Sequence, residues 1–156
     1  MKTLLMMLVM VATLMIGAST NVQANCESSA VSAPADGGIN FFQGTWSEAL
    51  AAAKKQKKLI FVDAYAVWCG PCKYMTNAVF TDKAVGEYYN KSFVNYKFDM
   101  EKGEGTVFAK KYTVNSYPSL IFISPEGKSV YFAEGIHEAD AFMKLAKAAN
   151  EIFAKQ

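Results

Sequence analysis

The pattern of apolar residues predicts an α/β fold, a β-sheet sandwiched between helices. Residues 59–65, LIFVDAY, make an apolar run of strand length, rich in β-branched and aromatic side chains. It lacks the alternation of a half-exposed strand, so it fits a central strand buried on both faces. Strand-like and helix-like stretches then alternate, and the chain closes on a hairpin and a long amphipathic helix.

The elements follow in order. Ile39-Asn40-Phe41-Phe42 reads as a short edge strand. Thr45 and Glu48 have the spacing of a capping box, and a helix continues through Ala49 to Lys58. After the buried run, a helix is expected from Cys69 to Phe80. Asp82 caps another through Glu87 to Asn90, and Phe93 to Phe98 alternates as a strand. Gly103 to Tyr112 reads as helix. Leu120 to Ile123 and Ser129 to Ala133 are strands joined by the turn Pro125-Glu126-Gly127-Lys128. Ala139 to Phe153 carries Phe142, Leu145, Ala149 and Phe153 on one stripe.

Length and composition place these elements in one domain. The chain has 156 residues and three cysteines, too few for a disulfide-stapled mini-protein. Residues 4–16, LLMMLVMVATLMI, are apolar at twelve of thirteen positions; Lys2 precedes them and Val22-Gln23-Ala24 follows. A positive start, a short apolar run and a small-residue cleavage site make a secretory signal over residues 1–24. The run is shorter than the ~20 residues a bilayer span needs. Residues 25–38 hold no aromatic and are rich in Ser, Ala, Gly and Pro, so they read as a flexible tether. All 21 aromatics fall from Phe41 to Phe153, and the folded domain is assigned to residues 39–156.

Charge excludes some partners. The net charge is +2, and every cation is Lys, with no Arg for bidentate base or phosphate contacts. No nucleic-acid binding is expected. Lys54, Lys55, Lys57 and Lys58 end the first helix, where cations complement its dipole. Lys102-Gly103-Glu104-Gly105 lacks the third glycine of a dinucleotide fingerprint, since position 108 is Phe. His137 reads as a solvated residue near the last helix.

The chemistry concentrates at Trp68-Cys69-Gly70-Pro71-Cys72-Lys73. Two cysteines three apart at a helix start can close a small disulfide ring. The first sits where unpaired N–H groups and the dipole favour a thiolate, the nucleophile of disulfide exchange. Pro71 suits the first turn, where its missing N–H costs nothing. Cys72 lies one turn further in; it is expected to be less exposed and to act as the resolving thiol. A zinc ribbon needs a second ligand pair, but Cys26 lies far upstream in the tether. Haem attachment needs His at position 73, which is Lys. A soft-metal carrier and an inert structural disulfide stay open. Asp63 is an acid inside the apolar run. Burial raises its pKa and equips it to take and return a proton, unless it serves only to bond backbone. Tyr117-Pro118-Ser119 precedes the next strand, and a cis bond is possible there.

The segment Val62 to Lys73, with WCGPCK and an acid six residues before the first cysteine, resembles the thioredoxin active-site strand and helix. Tyr117-Pro118-Ser119 before Leu120-Ile121-Phe122-Ile123 resembles that family's cis-proline loop. The resemblance covers essentially all of residues 39–156. It implies a thioredoxin-like fold with a central mixed β-sheet. It also implies Cys69 as attacking thiol, Cys72 as resolving thiol and Asp63 as proton acceptor. Trp68, Gly70, Pro71 and Lys73 are implied as support. Pro118 is implied to be cis, with Tyr117 offering backbone bonds to a substrate. No metal and no cofactor beyond the Cys69–Cys72 disulfide is implied.

One departure stands out. The stretch from Val79-Phe80-Thr81-Asp82 to Phe93-Val94 adds length after the active-site helix. This is similar to secreted thioredoxin-like proteins and to the C-terminal domain of the DsbD-type membrane thiol reductase. The expected protein is therefore a secreted, periplasmic thiol–disulfide oxidoreductase working as a monomer. It would reduce protein disulfides and draw electrons from a membrane thiol reductase. The rivals are an oxidase or isomerase and a non-catalytic or metal-carrying module. Cys26 is the odd thiol. Asn25 and Gln23 fit a lipidation site poorly, so cleavage at Ala24 is preferred.

Overall fold

A computed structural model describes residues 37–156; the signal segment, Cys26 and the tether up to residue 36 lie outside the described residues. The LIFVDAY run becomes strand β1 (Leu59–Tyr65), with six of seven residues buried. On one side it pairs in parallel with β2 (Phe93–Asp99), Asp63 opposite Lys97. On the other it pairs antiparallel with β3 (Ser119–Ile123), which pairs antiparallel with β4 (Ser129–Glu134). The order β2-β1-β3-β4 gives a mixed four-stranded sheet, as the resemblance implies.

Side chains alternate across a strand, so β1 feeds two core layers. Leu59 and Phe61 join Leu120, Phe122, Val79, Tyr89 and Phe142 on one face. Phe61 is the hub of that layer: its ring meets those of Phe80, Tyr89, Phe122 and Phe142 at centroid distances of 5.0–6.1 Å. Ile60, Val62 and Ala64 face the other layer, with Ala49, Ala53, Tyr96, Phe98 and Phe108. Asp63 follows Phe61 on the first face.

Five helices cover these layers. Helix α1 (Trp46–Gln56) opens on the expected capping box: the Glu48 amide donates to Thr45 Oγ1, and the Thr45 amide donates to Glu48. Helix α2 (Gly70–Tyr74) runs directly into a π-helical turn, Met75–Val79. Asp82 caps α3 (Lys83–Ser92) by accepting from the Val85 amide. Helix α4 (Glu104–Tyr112) and helix α5 (Ala139–Phe153) complete the set. Along α5, Phe142, Ala146 and Ala149 are buried, while Leu145 and Phe153 pack at the margin.

Two expectations are corrected and one is refined. The 39–42 edge strand shrinks to a single bridge, Phe41 to Asn95. Side chains replace the ladder there: Asn90 accepts from the Asn40 amide and donates to the Gly38 carbonyl. The helix from Cys69 to Phe80 is not uniform but changes pitch at Met75. Strand β2 alternates in chemistry but not in burial, because both its faces are covered; Asn95 is 3% exposed.

The start of the described chain packs tightly against α3. Gly38 is buried, and a Cβ on Gly86 would collide with the backbone of Gly37 and Gly38. Helix propensity alone makes Gly86→Ala stabilising by about 1 kcal/mol. The close approach reverses the sign. Denaturant unfolding is expected to show a loss of about 1–3 kcal/mol, the range for overpacking.

Candidate active site

The turn from β1 into α2 sets the geometry. Cys69 is the N-cap of α2, and its sulfur accepts from the Cys72 amide at 3.0 Å. Gly70 and Pro71 occupy the first helical positions, where proline's missing donor is harmless. The two sulfurs are joined as a disulfide. Contrary to expectation, Cys72 is not the less exposed of the two residues: both are buried, Cys69 2% and Cys72 4% exposed. The reason is packing, since Ala66, Tyr65 and Tyr117 close around both cysteines. Gly70 is exposed, and nothing lies within 4 Å of where its Cβ would be, so a partner chain can approach the pair from that side.

The other expected residues fall around this pair. Trp68 is 66% exposed. Its indole Nε1 donates to both Glu101 oxygens at 3.0 and 2.9 Å, and its ring meets Tyr117 edge-on. The Tyr117–Pro118 peptide bond is cis. The Pro118 carbonyl accepts from the Gly135 amide, and Ser116 Oγ donates to Glu134, which moors the loop to the end of β4. Lys73 is exposed on α2, its amide bonded to the Cys69 carbonyl. His137 Nε2 lies 3.2 Å from the Glu134 carbonyl.

Asp63 lies on β1, six residues before Cys69 and 1% exposed, and neither carboxylate oxygen has a hydrogen bond of good geometry among the described residues. Burial pushes its carboxyl up to about 6, partly opposed by the Lys97 ammonium, whose Nζ lies 3.4 Å from Oδ2. Lys97 reaches up from the neighbouring strand into an open cleft of about 270 Å³. Cys72, Lys73, Thr76, Tyr65 and Ala66 also line it.

Sequence reasoning missed three of the groups at this face. Lys97 carries no local signal in the sequence and emerges only through its register with Asp63. Glu101 binds Trp68 across 33 positions, and Glu138 accepts from Tyr74 Oη across 64. No local spacing signals either contact.

The raised carboxyl fixes a sign. The folded chain holds the Asp63 proton more tightly than the unfolded chain does. Folding stability therefore falls as pH rises from about 4 to about 6 and stays lowered above that. Asp63→Asn removes the penalty. The variant is expected to be more stable than wild type by up to about 3 kcal/mol at pH 7, with the gain vanishing near pH 4. Chemical denaturation across pH checks this; a gain at pH 4 as large as at pH 7 contradicts it.

Known proteins share this arrangement. The thioredoxin-like domain family matches residues 46–150. Thioredoxin-1 of Drosophila melanogaster is 37% identical over 94 residues, covering 58% of this chain and 82% of that protein. The solution structure of a candidate disulphide-isomerase from Bacteroides thetaiotaomicron is 44% identical, with a TM-score of 0.67. That match covers 76% of this chain and 98% of the other. The oxidised C-terminal domain of Neisseria meningitidis DsbD shares the fold at a TM-score of 0.57 and 21% identity, covering 66% of this chain and 90% of that one. With its CGPC disulfide at the start of a helix, the chain belongs to the thioredoxin-like family and is a thiol–disulfide oxidoreductase of the thioredoxin type.

Proposed function

We propose that this protein is a periplasmic reductase of protein disulfides, with Cys69 as nucleophile, Cys72 as resolving thiol and Asp63 as proton acceptor. The observation that carries the reading is a helix-capping dithiol whose Cys72 shares a cleft with Lys97, the ammonium paired with the buried Asp63 carboxylate. In the reduced enzyme the Cys69 thiolate attacks one sulfur of a substrate disulfide. A Cys69–substrate disulfide forms and the first substrate thiolate leaves. Cys72 then passes its proton to the Asp63 carboxylate and attacks the Cys69 sulfur. The Cys69–Cys72 bond closes, the second substrate thiolate departs, and two electrons have moved from enzyme to substrate.

Each neighbour has a role in this cycle. Exposed Trp68 and the Tyr117-Pro118 loop flank the dithiol and receive the substrate chain. Gly70 leaves room for its approach. Lys73 stays in solvent beside the cleft. The residues next to Cys69 support the reductive direction. Gly70 and Pro71 bring it no charged or hydrogen-bonding side chain, so its thiolate lacks the stabilisation that makes a strong oxidant. Resetting the dithiol in an oxidising compartment requires an outside donor, and a membrane thiol reductase fits. The leader-like residues 1–24 and the likeness to the DsbD domain support the compartment. The likeness to a candidate disulphide-isomerase favours one rival, a protein that donates or reshuffles disulfides.

Two measurements test the reading. Cys72→Ser is expected to accumulate mixed disulfides with substrate proteins, and Cys69→Ser is not. A Cys72→Ser protein that traps nothing would sink the mechanism. The reduction potential is expected near the thioredoxin value of about −270 mV; a value near about −120 mV would assign the opposite direction.

A further inference from the structure

The Lys97 ammonium is the charge nearest Asp63, yet it does not make a close bond to it. Its Nζ stands 3.4 Å from Asp63 Oδ2 and 3.3 Å from Thr76 Oγ1. It also lies over three rings, 5.0 Å from the centre of Phe41, 5.2 Å from Tyr65 and 5.8 Å from Phe80. Cation–ring attraction holds an ammonium without using its N–H groups. Two acceptors, one a buried carboxylate and one a hydroxyl, therefore share the same donor, and both contacts are long. Among the described residues no hydrogen bond of good geometry reaches the carboxylate, and the long Lys97 contact is what it has.

Thr76 reaches this point because it lies in the π-helical turn that continues α2. Single π turns inside α-helices recur at functional sites, where they re-aim side chains. We propose that Thr76 is a positioning residue: its hydroxyl, carried by the π turn, holds the Lys97 ammonium short of Asp63 and so keeps that carboxylate free to accept a proton. The catalytic consequence rests on the reading of Asp63 as acceptor of the Cys72 proton; the positioning itself does not.

The groups facing the carboxylate are few. Strand β1 brings Tyr65, β2 brings Lys97 and, further along, Asp99, and the active-site helix brings Cys72, Thr76 and Lys73 at the cleft rim. Strand β3 places apolar Leu120 opposite. Among the described residues Lys97 is the one cation paired with Asp63, so its position bears directly on the proton affinity of Asp63. Without the hydroxyl, the ammonium settles on the anion, which in a buried site is the stronger partner.

The test is a pH titration of the Asp63 carboxyl by carbon NMR in the full chain, disulfide form, where the two cysteines do not titrate. Thr76→Val is expected to lower the midpoint by about one pH unit, a tenfold change in proton affinity. Thr76→Ser is expected to restore the wild-type midpoint. Lys97→Met is expected to move it the opposite way, upward by about one unit, since a favourable charge is lost. A Thr76→Val midpoint that stays put or rises overturns the proposal, whatever the fold stability of the variant. A second readout separates the two readings. The rate at which Cys72 resolves a preformed mixed disulfide with a model peptide is followed against pH. Thr76→Val is expected to slow it several-fold near neutrality and to shift its profile with the NMR midpoint. If Asp63→Asn resolves at the wild-type rate, the acceptor role falls while the titration still decides the positioning.

Discussion

Strand β1 is covered on both faces, and one of its seven residues is an acid. Everything else in the molecule is arranged around that conflict. A strand buried on both faces needs apolar side chains toward two layers, which LIFVDAY supplies at every position but one. Phe61 organises the aromatic layer two residues before Asp63, and Ala64 and Val62 complete the opposite layer. The carboxylate then lies where water cannot solvate it and no amide reaches it. Apolar packing this extensive tolerates one group that would rather be elsewhere, because the penalty of a few kcal/mol is spread against a much larger burial.

The same strand leads into the dithiol. Beyond Tyr65 the chain leaves the sheet, turns through Ala66, Val67 and Trp68, and caps a helix with Cys69 itself. A cysteine at that position meets the free N–H groups of the first turn, and the Cys72 amide already points at its sulfur. The exposed parts of the site are moored by carboxylates that accept from uncharged donors. Glu101 takes the Trp68 indole, Glu138 the Tyr74 phenol and Glu134 the Ser116 hydroxyl. These bonds tie three separate segments to the rim of the site without burying any of the three charges. The deep part of the site works by exclusion of water and the rim by ordinary surface bonding.

Local rules made much of this legible. Thr45 with Glu48, Asp82 before α3, the turn at Gly127 and the stripe of α5 each lie within a few residues of the group they serve. The cysteine pair was readable for the same reason: its chemistry is contained in four consecutive residues and a helix start. Asp63 stood out because an acid inside an apolar run has no ordinary explanation. What escaped was whatever depends on register or on distant loops meeting. Lys97 becomes an active-site neighbour only because β2 lies parallel to β1 with Lys97 opposite Asp63. Burial on both faces of β2 was likewise hidden, because Asn95 is polar yet packed, with its amide nitrogen bonding the Asn40 carbonyl and Asn90. The π turn left no trace in composition, since Met-Thr-Asn-Ala-Val reads as unbroken helix.

Asp63 and Lys97 together set the proton affinity of the proposed base. A fully hydrogen-bonded salt bridge would pull the carboxylate below its ordinary range and leave it too weak to take a thiol proton. A carboxylate with no cation nearby would be driven higher, so that a larger share of it stayed protonated at neutral pH with no vacancy to offer. Burial with a partial partner places the group near 6, between those limits. At neutral pH it is then mostly ionised, yet within a few units of a thiol, which is the condition for efficient transfer in both directions. The ring cluster around Lys97 acts in the same sense. It stabilises the ammonium without neutralising the anion, so the site keeps both its charge and its proton affinity.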